Sequence, residues 1–126
     1  MATREPAHAP WRVLLVEDSR DDAELIEIAL REAGLEVECR RAWSAAAVAE
    51  ALAAFAPQLV LSDLNLPGFS GEDALALVRA HDPRLPFVLL TGSPAEILPE
   101  PLPGVGGVLS KDDLQALPAL ARRLLG

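Results

Sequence analysis

The sequence predicts a doubly wound α/β domain: a parallel sheet of five strands with helices on both faces. Short apolar runs alternate along the chain with segments whose apolar residues recur at helical spacing. Several of the short runs are apolar at nearly every position, as strands covered on both faces are. Repeated strand-helix units of this kind join through right-handed crossovers, which lay the strands parallel. With 126 residues, 51% of them hydrophobic, the chain suits one domain with a substantial core. The domain is expected over residues 11–126, after a flexible tail at 1–10 that mixes Arg4, Glu5 and His8 with prolines and lacks the apolar core of a signal peptide or anchor.

The elements follow in order. Arg12-Val13-Leu14-Leu15-Val16 reads as a buried strand ending at Glu17-Asp18. Ile26, Ala29, Leu30 and Ala33 then mark a helix with Asp21 and Asp22 in its favourable first turn and Gly34 as its stop. Glu36 to Arg40 alternates polar with apolar, as a strand nearer an edge does. Ser44 is the expected N-cap of an alanine-rich helix that presents Val48, Ala51, Leu52 and Phe55 on one face and stops before Pro57. The third strand, Leu59 to Asp63, breaks off at a carboxylate and is followed by a Pro67-Gly68 turn. Ala74, Leu75, Leu77 and Val78 begin a third helix that runs to about His81, and Phe87 to Leu90 forms the fourth strand, ending at Thr91-Gly92.

Beyond it, Pro94, Pro99, Pro101 and Pro103 leave only Ala95 to Leu98 for a fourth helix, so that element is expected to be short or irregular. Gly106 to Ser110 leads to Lys111, and Leu114, Leu117, Leu120, Ala121 and Leu124 describe a last amphipathic helix in which Pro118 sits awkwardly.

In such a sheet the ligand site lies outside the carboxyl ends of the strands. Glu17-Asp18, Asp63, Thr91 and Lys111 all fall there, although they are scattered through the sequence. Three clustered carboxylates repel one another unless a divalent cation and a lysine sit among them. Mg²⁺ with Lys111 balances the sum, since Mg²⁺ prefers oxygen ligands and commonly bridges protein to a phosphoryl group. A carboxylate so placed can be a phosphoryl acceptor, Thr91 can donate its hydroxyl to the phosphoryl group, and Gly92 leaves room beside it.

These segments together resemble the receiver domains of bacterial two-component response regulators, the CheY-like family. The matching pieces are Val13 to Asp18, Asp63 to Gly71 (Asp-Leu-Asn-Leu-Pro-Gly-Phe-Ser-Gly), Leu90-Thr91-Gly92 and Leu109-Ser110-Lys111, in family order and close to family spacing. The resemblance implies a flavodoxin-like sheet of strand order 2-1-3-4-5 and a phosphorelay role, with Asp63 accepting a phosphoryl group from a phosphohistidine on a sensor histidine kinase or phosphotransfer protein. It further implies Mg²⁺ held by Glu17, Asp18, Asp63 and the main-chain carbonyl of Asn65, Thr91 as the switch hydroxyl and Lys111 as the phosphate-facing cation. Such a domain takes part in its own phosphorylation and dephosphorylation without being an enzyme for a free substrate. It signals to a downstream protein as a monomer or weak dimer.

Three departures stand out. Val108 occupies the place, three before the lysine, where the family usually has an aromatic residue; Asp112 follows the lysine in place of the frequent proline; and the proline-rich segment replaces the usual fourth helix. With no DNA-binding segment after Gly126, no output module is expected on this chain.

Other functions fit less well. A haloacid-dehalogenase-type phosphatase wants a second Asp two residues after the first, where this chain has Asn65, and a flavodoxin-like nucleotide binder wants a phosphate loop where Glu17-Asp18-Ser19-Arg20 stands. An isoprenoid-type acidic cluster at Asp18, Asp21 and Asp22 would need a larger helical cavity. A receiver-shaped interaction module that does not switch is the remaining alternative. A formal net charge of −8 disfavours nucleic acid as a direct partner and suits a protein that handles cations. The single cysteine, Cys39, excludes an internal disulfide, and no apolar run reaches membrane-spanning length, so a cytoplasmic protein without membrane insertion is expected. Cys39, Trp11, Trp43, His8 and His81 are expected to be packing or surface groups.

Overall fold

In the computed structural model, which describes residues 9–92 and 104–126, the strands and helices alternate as the periodicities predict. The elements are β1 (Trp11–Val16), α1 (Arg20–Glu32), β2 (Val37–Ala42), α2 (Ala45–Ala54), β3 (Leu59–Asp63), β4 (Asn65–Leu66), β5 (Phe69–Ser70), α3 (Gly71–His81), β6 (Phe87–Thr91), β7 (Gly107–Ser110), a 3₁₀ turn (Lys111–Ala116) and α4 (Leu117–Leu125). The main sheet has the order β2-β1-β3-β6-β7 with every pairing parallel, which is 2-1-3-4-5 when its own strands are counted.

The near-continuous apolar runs are explained by burial on both faces. Along β1, Leu14 and Val16 join one core layer with Val48 and Leu52 of α2 and Leu75 and Val78 of α3. Val13 and Leu15 join the other, with Ile26 and Leu30 of α1 and Leu117 and Ala121 of α4. The two layers therefore clamp the central strands, and single positions of β1, β3 and β6 cannot turn without moving an apolar side chain out of its layer. β2 lies at the edge, as its mixed pattern predicts, but begins at Val37 and runs on to Ala42 because it pairs residue for residue with β1, up to Val16 opposite Ala42.

Caps set the helix starts. Ser44 accepts from the Ala47 amide as expected. The third helix starts at Gly71, three residues before its apolar periodicity begins, because Ser70 and Asp73 close a reciprocal capping box. Pro67 and Gly68 make the two-residue turn between β4 and β5, with Gly68 at a φ of 69° that a side chain would disfavour.

The last helix corrects the expectation of one continuous element. The chain from Lys111 makes a 3₁₀ turn interrupted at Asp113 (φ −124°, ψ 44°), and the α-helix begins at Leu117, so Pro118 occupies its first turn. No intrahelical partner exists there for a backbone N–H, so proline loses nothing. The expected stub at Ala95 to Leu98 and the tail at 1–8 lie outside the described residues. Among the described residues no helix is long and apolar enough to cross a membrane.

Candidate functional site

The parallel register brings the strand ends level. Val16 faces Ala42 and Ser62, Asp63 faces Leu90, and Thr91 faces Ser110, so Glu17, Asp63, Thr91 and Lys111 emerge side by side at the carboxyl edge. Glu17, Asp18 and Asp63 can each offer one carboxylate oxygen within 4.8 Å of the others. Lys111 lies against the same cluster, its Nζ 2.5 Å from Glu17 Oε1, 2.9 Å from Asp22 Oδ2 and 3.2 Å from Asp63 Oδ2.

Burial decides the electrostatics. Glu17 is only 2% exposed, and desolvation pushes its carboxyl above the ordinary value although the Lys111 ammonium and the Ser19 amide, which donates to Oε2 at 3.1 Å, pull the other way. Burial works against the Lys111 charge too, yet the hydrogen bonds to Asp22 and Glu17 and the charge of Asp63 outweigh it and raise the ammonium above the ordinary lysine value. The all-oxygen donor set, running from buried Glu17 through half-buried Asp63 to exposed Asp18, fits a hard divalent cation such as Mg²⁺.

The loop carrying Asp63 is fixed from three sides. The buried Ser62 hydroxyl donates to the main-chain carbonyl of Asp63 at 2.9 Å, the Leu64 amide donates to Leu90, and the Gly71 amide returns to the Leu64 carbonyl. Asn65 sits in β4, immediately after that anchored pair. Thr91 is buried at the end of β6, and its hydroxyl is 3.5 Å from the carbonyl of Leu109, a long contact. Gly92 follows it at the surface. Val108 pairs with Leu89 in the sheet and is 45% exposed. Cys39 is half-buried, and burial pushes its thiol up to about 12, far from the thiolate that chemistry would need.

Two residues that sequence reasoning did not assign to the site belong to it. Asp22, read as an ordinary first-turn acid, bonds Lys111; no periodicity tells which way an acid at a helix start turns. Arg41, at the end of β2, donates from Nη1 to the carbonyl of Asp18 at 3.0 Å while its guanidinium stacks 4.3 Å from the Trp43 ring centroid. It holds the main chain of the acidic loop without touching a carboxylate. Arg41→Ala is therefore expected to weaken Mg²⁺ binding several-fold, as loss of an outer-shell support commonly does, with little change in folding stability. Titration calorimetry beside urea denaturation checks this, and unchanged Mg²⁺ affinity would assign Arg41 no role in the loop.

Comparison with known proteins gives the same grouping. The family model of the response regulator receiver domain matches residues 13–119. The response regulator protein FleR of Pseudomonas aeruginosa is 41% identical over 80 residues, which are 64% of this chain and 16% of FleR. The TcrX regulatory protein of Mycobacterium tuberculosis is 36% identical over 86 residues, 68% of this chain and 36% of TcrX. The chain thus spans about a sixth to a third of the length of these relatives. A response regulator structure from Chloroflexus aurantiacus superposes with a TM-score of 0.78 at 29% identity, covering 92% of this chain and 98% of that one. The apo receiver domain of nitrogen regulatory protein C superposes with a TM-score of 0.72 at 27% identity, covering 91% and 94%. By the match along its length, by the sheet order and by the acidic cluster at the strand ends, the chain belongs to the response regulator receiver domain family.

Proposed function

We propose that residues 11–126 form a phosphoacceptor receiver in a cytoplasmic phosphorelay, with Asp63 as the acceptor and a sensor histidine kinase or phosphotransfer protein as the donor. The observation that carries this reading is the Asp63 carboxylate, drawn to within 3.2 Å of the Lys111 ammonium and sharing a 4.8 Å cluster with Glu17 and Asp18. An Asp63 oxygen attacks the phosphorus of the donor phosphohistidine, the phosphorus–nitrogen bond breaks, and its electron pair leaves with the imidazole. Glu17, Asp18, Asp63 and the main-chain carbonyl of Asn65 would hold Mg²⁺, which supplies charge neutralisation at the phosphoryl oxygens when bound. Lys111 contributes a second positive charge there, and Thr91 a hydroxyl. The reaction modifies the protein itself, and the altered surface is read by a downstream protein.

The test is intact mass after incubation with acetyl phosphate, whose phosphoryl transfer to Asp63 releases acetate. A phosphoryl increment that needs Mg²⁺ and is abolished by Asp63→Asn is expected; a chain that gains no phosphoryl mass and binds no Mg²⁺ would overturn the reading. The exposed Val108 in place of an aromatic residue favours one second reading, a receiver-shaped interaction module that does not switch. Amide exchange separates the two: switching predicts altered protection along β6 and β7 after phosphorylation, whereas the module predicts none.

A further inference from the structure

Among the described α-helices, α1 and α3 both open on Ser-x-x-Asp, and the two starts behave differently. At α3 the acid closes the capping box: Asp73 accepts from the Ser70 amide at 3.0 Å. At α1 the corresponding amide, that of Ser19, donates instead to Glu17 Oε2 at 3.1 Å, while the Ser19 hydroxyl still accepts from Asp22 N–H at 3.2 Å. The Asp22 carboxylate is thereby left to turn inward, and it takes Lys111 at 2.9 Å.

An ammonium has three protons, and Lys111 spends them on Glu17, Asp22 and Asp63. Two of these acceptors belong to the cluster that can ligate a cation, and one of those two is the proposed phosphoacceptor. Asp22 alone of the three stands outside both duties. Its side chain is 40% exposed, at the rim of a cleft of about 280 Å³ that is also lined by Gly92, Lys111, Asp112 and Leu114. An untethered Lys111 has the open cleft to turn into, where water competes for its protons and Asp112 is one of the lining residues.

We infer that Asp22 is a positioning residue: it tethers the Lys111 ammonium beside Asp63 when Glu17 and Asp63 are committed to a divalent cation and a phosphoryl group. The inference rests on the phosphoacceptor reading. Asp22 touches no phosphoryl oxygen; it acts by keeping Lys111 from swinging into the cleft, so its effect must pass through Lys111.

The test is a double-mutant cycle on the whole chain with saturating Mg²⁺, using Asp22→Ala, Asp22→Asn, Lys111→Ala and the double variant Asp22→Ala with Lys111→Ala. Asp21→Ala serves as the control, since Asp21 is an acid of the same helix turn and makes no contact with Lys111 among the described hydrogen bonds. Two quantities are read: affinity for beryllofluoride, a phosphoryl mimic, and the maximal rate and half-saturating concentration for phosphorylation by acetyl phosphate. Asp22→Ala is expected to lower both the beryllofluoride affinity and the maximal rate by about tenfold, the loss of roughly one charge-assisted hydrogen bond. Asp22→Asn, which still accepts a hydrogen bond, should recover part of this, Asp21→Ala should match the unsubstituted chain, and Asp22→Ala should add nothing once Lys111 is gone. Equal losses in the two Lys111 backgrounds, or the same loss from Asp21→Ala, would reduce Asp22 to a helix-start charge and overturn the tether. An Asp22→Ala protein as reactive as the unsubstituted chain overturns the tether alone. An unsubstituted chain that neither gains phosphoryl mass nor binds beryllofluoride overturns the phosphoacceptor reading and the tether with it.

Discussion

Lys111→Met is expected to destabilise the metal-free protein by about 3 kcal/mol at neutral pH, the scale seen when one partner of a buried ion pair is removed. The lysine side chain is 15% exposed and its partners Glu17 and Asp63 are 2% and 13% exposed, so water cannot simply take its place. The cost has a definite pH dependence. Without the ammonium, nothing from Lys111 offsets the desolvation that already raises the Glu17 carboxyl, so folded Glu17 holds its proton more tightly than in the unfolded chain and stability falls as pH rises through the carboxylate range. The deficit should thus be full at pH 8 and clearly smaller at pH 5. Mg²⁺ should narrow it as well, since a cluster without the Lys111 ammonium repels the cation less and so gains more from mass action than the unsubstituted chain does. Urea denaturation at both pH values, with and without Mg²⁺, checks each part. A loss that is the same under all four conditions would mean that Lys111 contributes through packing of its stem and not through its charge.

The same charges explain how much of this site is legible in the sequence. Glu17-Asp18, Asp63, Thr91 and Lys111 can be brought together without coordinates because each follows an apolar run, and parallel strands of similar length end on one edge. Their joint sign, three acids against one lysine, then indicates a cation and a phosphoryl group. Asp22 escapes that logic: its side-chain direction depends on Ser19 having given its amide to Glu17, a choice made between side chains after the fold is set. Arg41 escapes it as well, since an arginine at an edge-strand terminus is ordinarily solvated, and only the register of β2 against β1 brings it over the Asp18 carbonyl. Pro118 misled because apolar residues keep helical spacing from Leu114 to Leu124, while the 3₁₀ turn and the α-helix that divide that stretch differ in backbone hydrogen bonding and leave no mark on the apolar pattern.

Gly71→Ala is expected to damage stability and the site together. The glycine opens α3 directly behind the loop that carries Asp63, where an added Cβ would lie 2.7 Å from Leu89 Cδ2, 2.9 Å from the Asp63 carbonyl oxygen and 3.2 Å from Leu64 Cα. The leucine methyl can move aside. The backbone atoms move only at the expense of hydrogen bonds, because the Leu64 amide is tied to Leu90 and the Leu64 carbonyl accepts from Gly71 itself. Overpacking against fixed backbone costs about 2 kcal/mol. Relief can come only by lifting the segment 63–65 off the start of the helix, which displaces both the Asp63 carboxylate and the Asn65 carbonyl proposed to hold Mg²⁺. A several-fold loss of Mg²⁺ affinity should therefore accompany the loss of stability. Leu52→Ala provides the contrast: it empties a buried position in α2 within the same core layer and is expected to cost about 3 kcal/mol without touching the Asp63 loop. If Leu52→Ala lowers Mg²⁺ affinity as much as Gly71→Ala does, the metal site responds to global stability and the close approach at Gly71 has no specific part in shaping it. If only Gly71→Ala does so, the small residue at the start of α3 is what allows β3 to deliver its carboxylate to the cluster.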